Sequence, residues 1–416
     1  MKALRFSRSL PRFAAARVAD TLSAGGGARL GPLALVEAPD PTPPAAGWHR
    51  VRPALAGICG SDLATVGGRS SRWFEPIVSF PFVPGHEVVG ALDDGARVVL
   101  EPVLGCAARG VEPPCAACAT GERGRCAHIT LGHLRPGLQT GYCADTGGGW
   151  STALVAHDSQ IHRVPEVLSD AEAVLVEPAA CAIHGALRAD VPHGGLVVVL
   201  GAGTLGLCTV AALRRFAQPG TIVVGAKHPE QRQEAARLGA EVVVEPGEVR
   251  RAVRRATRSL AVGGRLSGGA DVVVDCVGNG ASLAEALAVV RPGGRITLVG
   301  MPGPERIDLT PLWQREVELV GAYAYGTEDL GVRRVRTFEL AFDLVHGARL
   351  GRLVSARYPL ERYREAIEHA ATAGSRGAVK IVFEPGSGGA GAPAGQAAGV
   401  FRRNRVPDAM DKARIR

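Results

Sequence analysis

The stretch Val197-Val-Val-Leu-Gly-Ala-Gly-Thr-Leu-Gly-Leu207 constrains this chain more than any other. Its uncharged, β-branched opening reads as a strand buried on both faces of a parallel sheet. The strand runs into Gly201-x-Gly203-x-x-Gly206, and residues 207–216 then carry apolar positions at helical spacing. Strand, glycine turn and helix in that order is the setting in which such a turn receives a dinucleotide. Gly201 permits the sharp turn, Gly203 lets the backbone approach a pyrophosphate, and Gly206 lets the helix lie against the strand. The helix start at Thr204 and Leu205 offers unpaired N–H groups and a partial positive charge to the phosphates.

The surrounding sequence repeats the pattern. Strands are expected over 196–200, 221–224, 241–244, 271–276 and 295–299, with helices over 230–238 and 282–290 between them. This is a doubly wound α/β arrangement, assigned to 166–322. Helices precede it over 170–187, interrupted at Pro178. The Arg- and Gly-rich segment 249–269 reads as a solvated helix plus loop. Residues 1–165 alternate short strands with prolines and glycines, as in an irregular, mostly antiparallel β domain. Residues 323–385 end in a strand over 378–383 and are expected to complete that domain. Beyond 385 the Gly/Ala/Pro run cannot bury a core, and 386–416 is expected to be a disordered tail.

The chain has 416 residues and a net charge of +8. The tail carries six of the basic residues against two acids. The remainder is therefore close to neutral, which argues against a nucleic-acid partner. No run of about 18 apolar residues suggests a membrane span. The start of the chain lacks the apolar core of a secretory signal, so a cytoplasmic location is expected. Of nine cysteines, four crowd into 106–126, which in a reducing compartment points to metal rather than disulfides.

Cys59, the pair His86-Glu87, and Glu177 lie in three separate turns, and thiolate, imidazole and carboxylate are all zinc donors. Their surroundings are Gly57-Ile-Cys-Gly-Ser-Asp62, Gly85-His-Glu-Val-Val-Gly90 and Glu177-Pro-Ala-Ala-Cys-Ala-Ile-His184, followed by the glycine turn. In that order they resemble the zinc-dependent medium-chain dehydrogenases/reductases of the alcohol dehydrogenase superfamily, over residues 2 to about 385. The polyol, threonine and glucose dehydrogenase branch is the most similar. The resemblance implies a GroES-like catalytic domain beside a Rossmann domain. It implies that Cys59, His86 and Glu177 hold a catalytic zinc, with Glu87 binding it directly or from behind. Ser61 would hydrogen-bond the substrate oxygen and pass its proton outward. Many relatives have a histidine where this chain has Ala64, so the proton path beyond Ser61 must differ. Val277 and Gly278 fall where the family makes backbone contacts near the nicotinamide.

The same resemblance implies a structural zinc held in a C-x2-C-x2-C-x7-C pattern. Cys115, Cys118 and Cys126 match its last three positions, and Glu112 stands at the first. Cys106 lies nine residues before Cys115; four thiolates suit zinc best, which favours Cys106, with Glu112 the rival that keeps the spacing. For the cofactor, the second strand of the α/β unit ends without the carboxylate that binds ribose hydroxyls. Ala226, Lys227 and His228 follow it instead, which favours NADP while leaving NAD possible. The expected activity is zinc-dependent hydride transfer between a small alcohol (a polyol or sugar) and NAD(P), in a homo-oligomer, with no membrane partner. Two rivals are a zinc-independent quinone or enone reductase of the same fold and a non-catalytic NAD(P) sensor; stoichiometric zinc with alcohol turnover excludes both.

Removing 386–416 is expected to leave the melting temperature and activity unchanged, because its composition supports no packed core; a large fall in melting temperature would show that it docks.

Overall fold

Six strands form one parallel sheet in the computed structural model, which describes residues 1–387. In spatial order they are Val242–Val244, Thr221–Gly225, Leu196–Leu200, Ala270–Asp275, Val290–Leu298 and Glu318–Gly321, each parallel to its neighbour. The chain-order sequence 3-2-1-4-5-6 puts the topological switch between Leu196–Leu200 and Ala270–Asp275, where ligands enter sheets of this kind. Side chains alternate between two layers. Val197, Val199, Ile222, Val224, Val272 and Val274 face the helices Val176–Arg188, Thr204–Ala212 and Thr337–Gly347. Val198, Val223, Val273 and Ile296 face the helices Val249–Thr257 and Gly280–Val289. Burial on both faces is what the charge-free strand sequences require.

A second, seven-stranded sheet is built around Trp48–Gly57, which pairs antiparallel with Val88–Leu92, Leu154–His157 and Lys380–Phe383. Val382 lies opposite Gly57 and Phe383 opposite Ala56. The last strand of the described residues is therefore threaded into the sheet begun by the first sixty. Trp150, fully buried, stacks edge-on against Phe383 and donates its indole N–H to the Gly57 carbonyl at 3.1 Å.

Several local expectations are corrected. The break before Val176–Arg188 falls at Val174 and Leu175, not at Pro178; Pro178 sits in the first turn, where its missing N–H costs nothing. A helix at Leu10–Leu22, entered through Ser9 and Pro11, fills the connection between the paired strands Lys2–Phe6 and Leu33–Glu37. Only Ala16 of that helix is buried, so it leaves little periodicity to read. The loop expected after Thr257 is a two-stranded hairpin, Ala261–Val262 with Arg265–Leu266, turning on Gly263 and Gly264 at positive φ. The tail expectation falls, beyond Ser387, outside the described residues.

Candidate metal centres and dinucleotide site

Cys59 is the residue before the helix Gly60–Val66, and its backbone N–H is held by Asp62 Oδ2 at 3.0 Å. His86 and Glu87 follow Gly85, which has φ +96° and leaves no room for a Cβ over Trp150. The donor atoms of Cys59, His86 and Glu87 all lie within 4.8 Å of one another. Asp62, 1% exposed, has Oδ1 at 3.6 Å from His86 Nδ1 and accepts from the Tyr142 hydroxyl at 3.3 Å. That His86 nitrogen is buried without a hydrogen-bond partner. Burial opposes charging His86, but Asp62 and Cys59 outweigh it and raise its pKa well above the usual range.

Glu177 is not among the three clustered donors. It sits in the first turn of Val176–Arg188, 7% exposed, and accepts from Cys181 Sγ at 3.6 Å. Burial pushes its pKa up to about 7, against the pull of His86 and Lys380 and with a push from Glu87. Lys380, 2% exposed, forms an ion pair with Glu87 and donates to the Ile58 carbonyl at 3.1 Å. A Cβ on Gly57 would lie 1.8 Å from Glu87 Oε2 and 2.8 Å from Lys380 Cε, so glycine there is what admits the pair.

The second cluster gathers Cys106, Cys115, Cys118 and Cys126, again within 4.8 Å. Cys106 Sγ is 3.7 Å from Cys126 Sγ, and Cys115 Sγ is 4.0 Å from it. Tetrahedral thiolates at about 2.3 Å from zinc would stand about 3.8 Å apart, so the spacing fits that ion and is far too long for a disulfide. Backbone N–H groups point at the sulfurs: Cys115 N at Cys106, Cys106 N at Cys118 and His128 N at Cys126, at 3.3, 3.4 and 3.4 Å. Burial resists ionisation of Cys115, but bonds from Cys118, Ala127 and Cys106 hold its pKa at about 6. Of the two rivals for the fourth donor, Cys106 is in the cluster and Glu112 is not.

At the sheet's switch point Gly201 has φ +90°, and a Cβ on Gly206 would lie 2.0 Å from the Gly201 carbonyl oxygen. A Cβ on Gly203 would meet nothing within 4 Å. The backbone therefore faces open space where a pyrophosphate would lie, before a helix, Thr204–Ala212, that has no side-chain cap. Val277, 43% exposed, overhangs Gly201. The N–H groups of Val277 and Gly278 are both taken by Asp275 Oδ1, at 2.9 and 3.0 Å. Ala226 is fully buried, Lys227 is exposed and His228 is half-buried against Gly374. Arg232 reaches back to the carbonyls of Ala226 and Lys227 at 3.2 and 3.0 Å.

Comparison with known proteins gives this architecture a family. Residues 45–166 match the alcohol dehydrogenase GroES-like domain and residues 204–338 the zinc-binding dehydrogenase domain. A sorbitol dehydrogenase of Arabidopsis thaliana is 31% identical over 298 residues, 68% of this chain and 76% of that protein. The chain belongs to the zinc-dependent medium-chain dehydrogenase/reductase family. An L-idonate 5-dehydrogenase of Vitis vinifera is 28% identical over 351 residues, covering 80% of this chain and 87% of its own. In fold, the chain is similar to a putative zinc-binding dehydrogenase from Sinorhizobium meliloti 1021 bound to NADP. The TM-score is 0.65 at 22% identity, over 92% of this chain and 99% of that one.

Within this family member, sequence reasoning passed over Lys380, Asp62, Cys181 and Arg232. Asp62 was legible three residues after Cys59 as a capping acid. Cys181 lies one helical turn beyond Glu177. Arg232 is one of several arginines on an exposed helix, and Lys380 lies in a strand whose partner is more than 300 residues away. Trp150 is part of the core.

In chelator-stripped protein Glu177→Gln is expected to be more stable than wild type at pH 8. The folded pKa of about 7 is raised above 4.5, so ionisation of Glu177 removes stability as pH rises through that window. The gap should approach about 3 kcal/mol and vanish below about pH 4.5; equal melting curves at pH 8 would show that burial does not strain this carboxylate.

Proposed function

We propose that this chain is a zinc-dependent, NAD(P)-linked oxidoreductase interconverting a small polyol or sugar alcohol and its carbonyl. One observation carries the reading: the helix Val176–Arg188 packs against the glycine-turn helix Thr204–Ala212 and carries Glu177 to His86 and Glu87. Glu177 and the dinucleotide turn are thereby held on one packed pair of helices. Relatives named for sorbitol, L-idonate and D-xylulose support the substrate class.

When bound, zinc supplies Lewis acidity toward the substrate oxygen and the nicotinamide supplies the hydride acceptor. The chain's own residues do the rest. Cys59, His86 and Glu177 hold the metal, and Asp62 orients the imidazole. Glu87, its charge balanced by Lys380, backs the site rather than adding a third negative charge. Ser61 holds the substrate hydroxyl and accepts its proton. Thr65 donates to the Ser61 carbonyl at 2.9 Å and its hydroxyl meets those of Ser70, at 2.9 Å, and Tyr142, at 3.4 Å. With Ala64 where relatives have histidine, the path beyond Ser61 differs from theirs. Cys106, Cys115, Cys118 and Cys126 hold the structural zinc. The domain reading is 1–165 with 323–385 for catalysis and 166–322 for the cofactor. An exposed edge strand, Glu318–Gly321, with Leu319 43% exposed supports a homo-oligomer. Nine free thiols suit the cytoplasm.

The decisive experiment is a screen of polyols, sugars and amino alcohols with NADP and NAD, with zinc analysis on the same sample. Two zinc ions per chain are expected, one in Cys118→Ser, and His86→Ala should lose hydride transfer while still binding cofactor. Turnover that survives His86→Ala would overturn the mechanism.

Lys227 favours NADP, since Ala226, Lys227 and His228 follow Thr221–Gly225 where an acid would repel a 2′-phosphate. A charge-assisted hydrogen bond there is worth about 1.5–3 kcal/mol, so kcat/KM should favour NADP by about tenfold or more. Lys227→Ala should weaken NADP and spare NAD; equal use of both cofactors, unaffected by the substitution, would remove the assignment.

A further inference from the structure

The segment 249–270 holds six arginines and no acidic residue, and neither the metal sites nor the dinucleotide turn uses it. Val249 and Val253 anchor its helix, Val249–Thr257, in the core. Arg250 with Arg254, and Arg251 with Arg255, form two adjacent rows one turn apart, and Arg258 follows at the helix end. Arg250 pairs with Glu285 and Arg251 with Glu248. Arg254, Arg255, Arg258 and Arg265 are exposed and have no ion-pair partner among the described residues. Folded surfaces normally intersperse both signs, and a single-sign stripe acts as a field toward an anionic partner.

The hairpin that follows adds a second feature. It is firmly built: Leu266 is 2% exposed in the core, Ser267 Oγ accepts from Leu260 N at 2.9 Å, and Arg315 donates to the carbonyls of Leu266 and Gly268, each at 2.9 Å. Yet Leu260 is 71% and Val262 65% exposed. They stand between Arg258 and Arg265, on the helix layer opposite the one that carries Glu177 and the glycine-turn helix.

We propose that this face is a docking surface for an anionic phospholipid bilayer, with Leu260 and Val262 entering the headgroup boundary and the arginines pairing with lipid phosphates. An aliphatic tip in a cationic collar matches that chemistry. A single-stranded nucleic-acid partner would call for aromatic stacking, which 249–270 lacks, and would leave the exposed Leu260 and Val262 unused. No helix of the described residues is long and apolar enough to cross a membrane, so the association is peripheral.

The test is co-sedimentation of the full chain with vesicles of phosphatidylcholine alone or with about one-third phosphatidylglycerol. Binding should need the anionic lipid and fall about tenfold or more as salt rises from about 0.05 to about 0.5 M. Reversal of charge in Arg254→Glu/Arg255→Glu/Arg258→Glu should lower it about tenfold, and Leu260→Ser/Val262→Ser severalfold, with melting temperature and kcat unchanged. The basic tail is common to every variant, so a loss reports the patch. Absence of vesicle binding, binding equal in both variants and wild type, or full displacement by a DNA duplex with no dependence on Leu260 and Val262 would overturn the proposal.

Discussion

The buried ion pair between Glu87 and Lys380 is the interaction on which the centre depends. Glu87 and Glu177 are buried near each other, and their mutual repulsion would be costly without a cation. Lys380 supplies it from the last strand of the described chain and also caps the Ile58 carbonyl. Its pKa is raised despite burial, because Glu87 and Cys59 outweigh the desolvation that would lower it. Lys380 reaches this position only because Lys380–Phe383 pairs with Trp48–Gly57, and Gly57 leaves the space. Closing the sheet and balancing the charge are thus one event.

A similar logic ties the cysteine lobe to the rest. Glu101, 1% exposed, meets His162 at 3.0 Å, Arg123 at 3.6 Å and Arg336. Arg123 comes from the lobe and Arg336 from beyond the parallel sheet, so one carboxylate joins three parts of the chain. Arg109, fully buried, donates to the carbonyls of Leu104, Leu131, Leu134, Arg135 and Gly137 and gathers the segment around the four thiols. Burial lowers its pKa, and the nearby thiols and Asp145 oppose that shift. The lobe is held by polar groups where its short loops offer little apolar area.

The α/β unit works through close approach rather than charge. Gly206 lets the first helix lie on the turn, and Val176–Arg188 then packs beside it in a layer of valine, alanine and leucine. Because interiors of this kind are densely packed, a carboxylate placed on that helix keeps its distance from the turn. His184 on the same helix bonds Glu328 at 2.8 Å, which fixes the helix against the segment after the sheet.

What the sequence determined by itself was whatever depends on neighbours along the chain. The three glycines of the dinucleotide turn, the spacing of Cys115, Cys118 and Cys126, and the charge-free strand runs and helical runs of the α/β unit are local restrictions on backbone and burial. They were legible, and with them the fold class and family. Tertiary structure alone decided what depends on chain crossings. It chose Cys106 over Glu112 for the thiol cluster, gathered Glu87 rather than Glu177 with Cys59 and His86, brought Lys380 to Glu87 from the last described strand, and buried Trp150. It also spent the Val277 and Gly278 N–H groups on Asp275, and folded 259–267 into a hairpin whose apolar tip stays in solvent. The reason is physical: a turn or a spacing is fixed by covalent geometry within a few residues, whereas a partner across the sheet is chosen by the free energy of the whole fold.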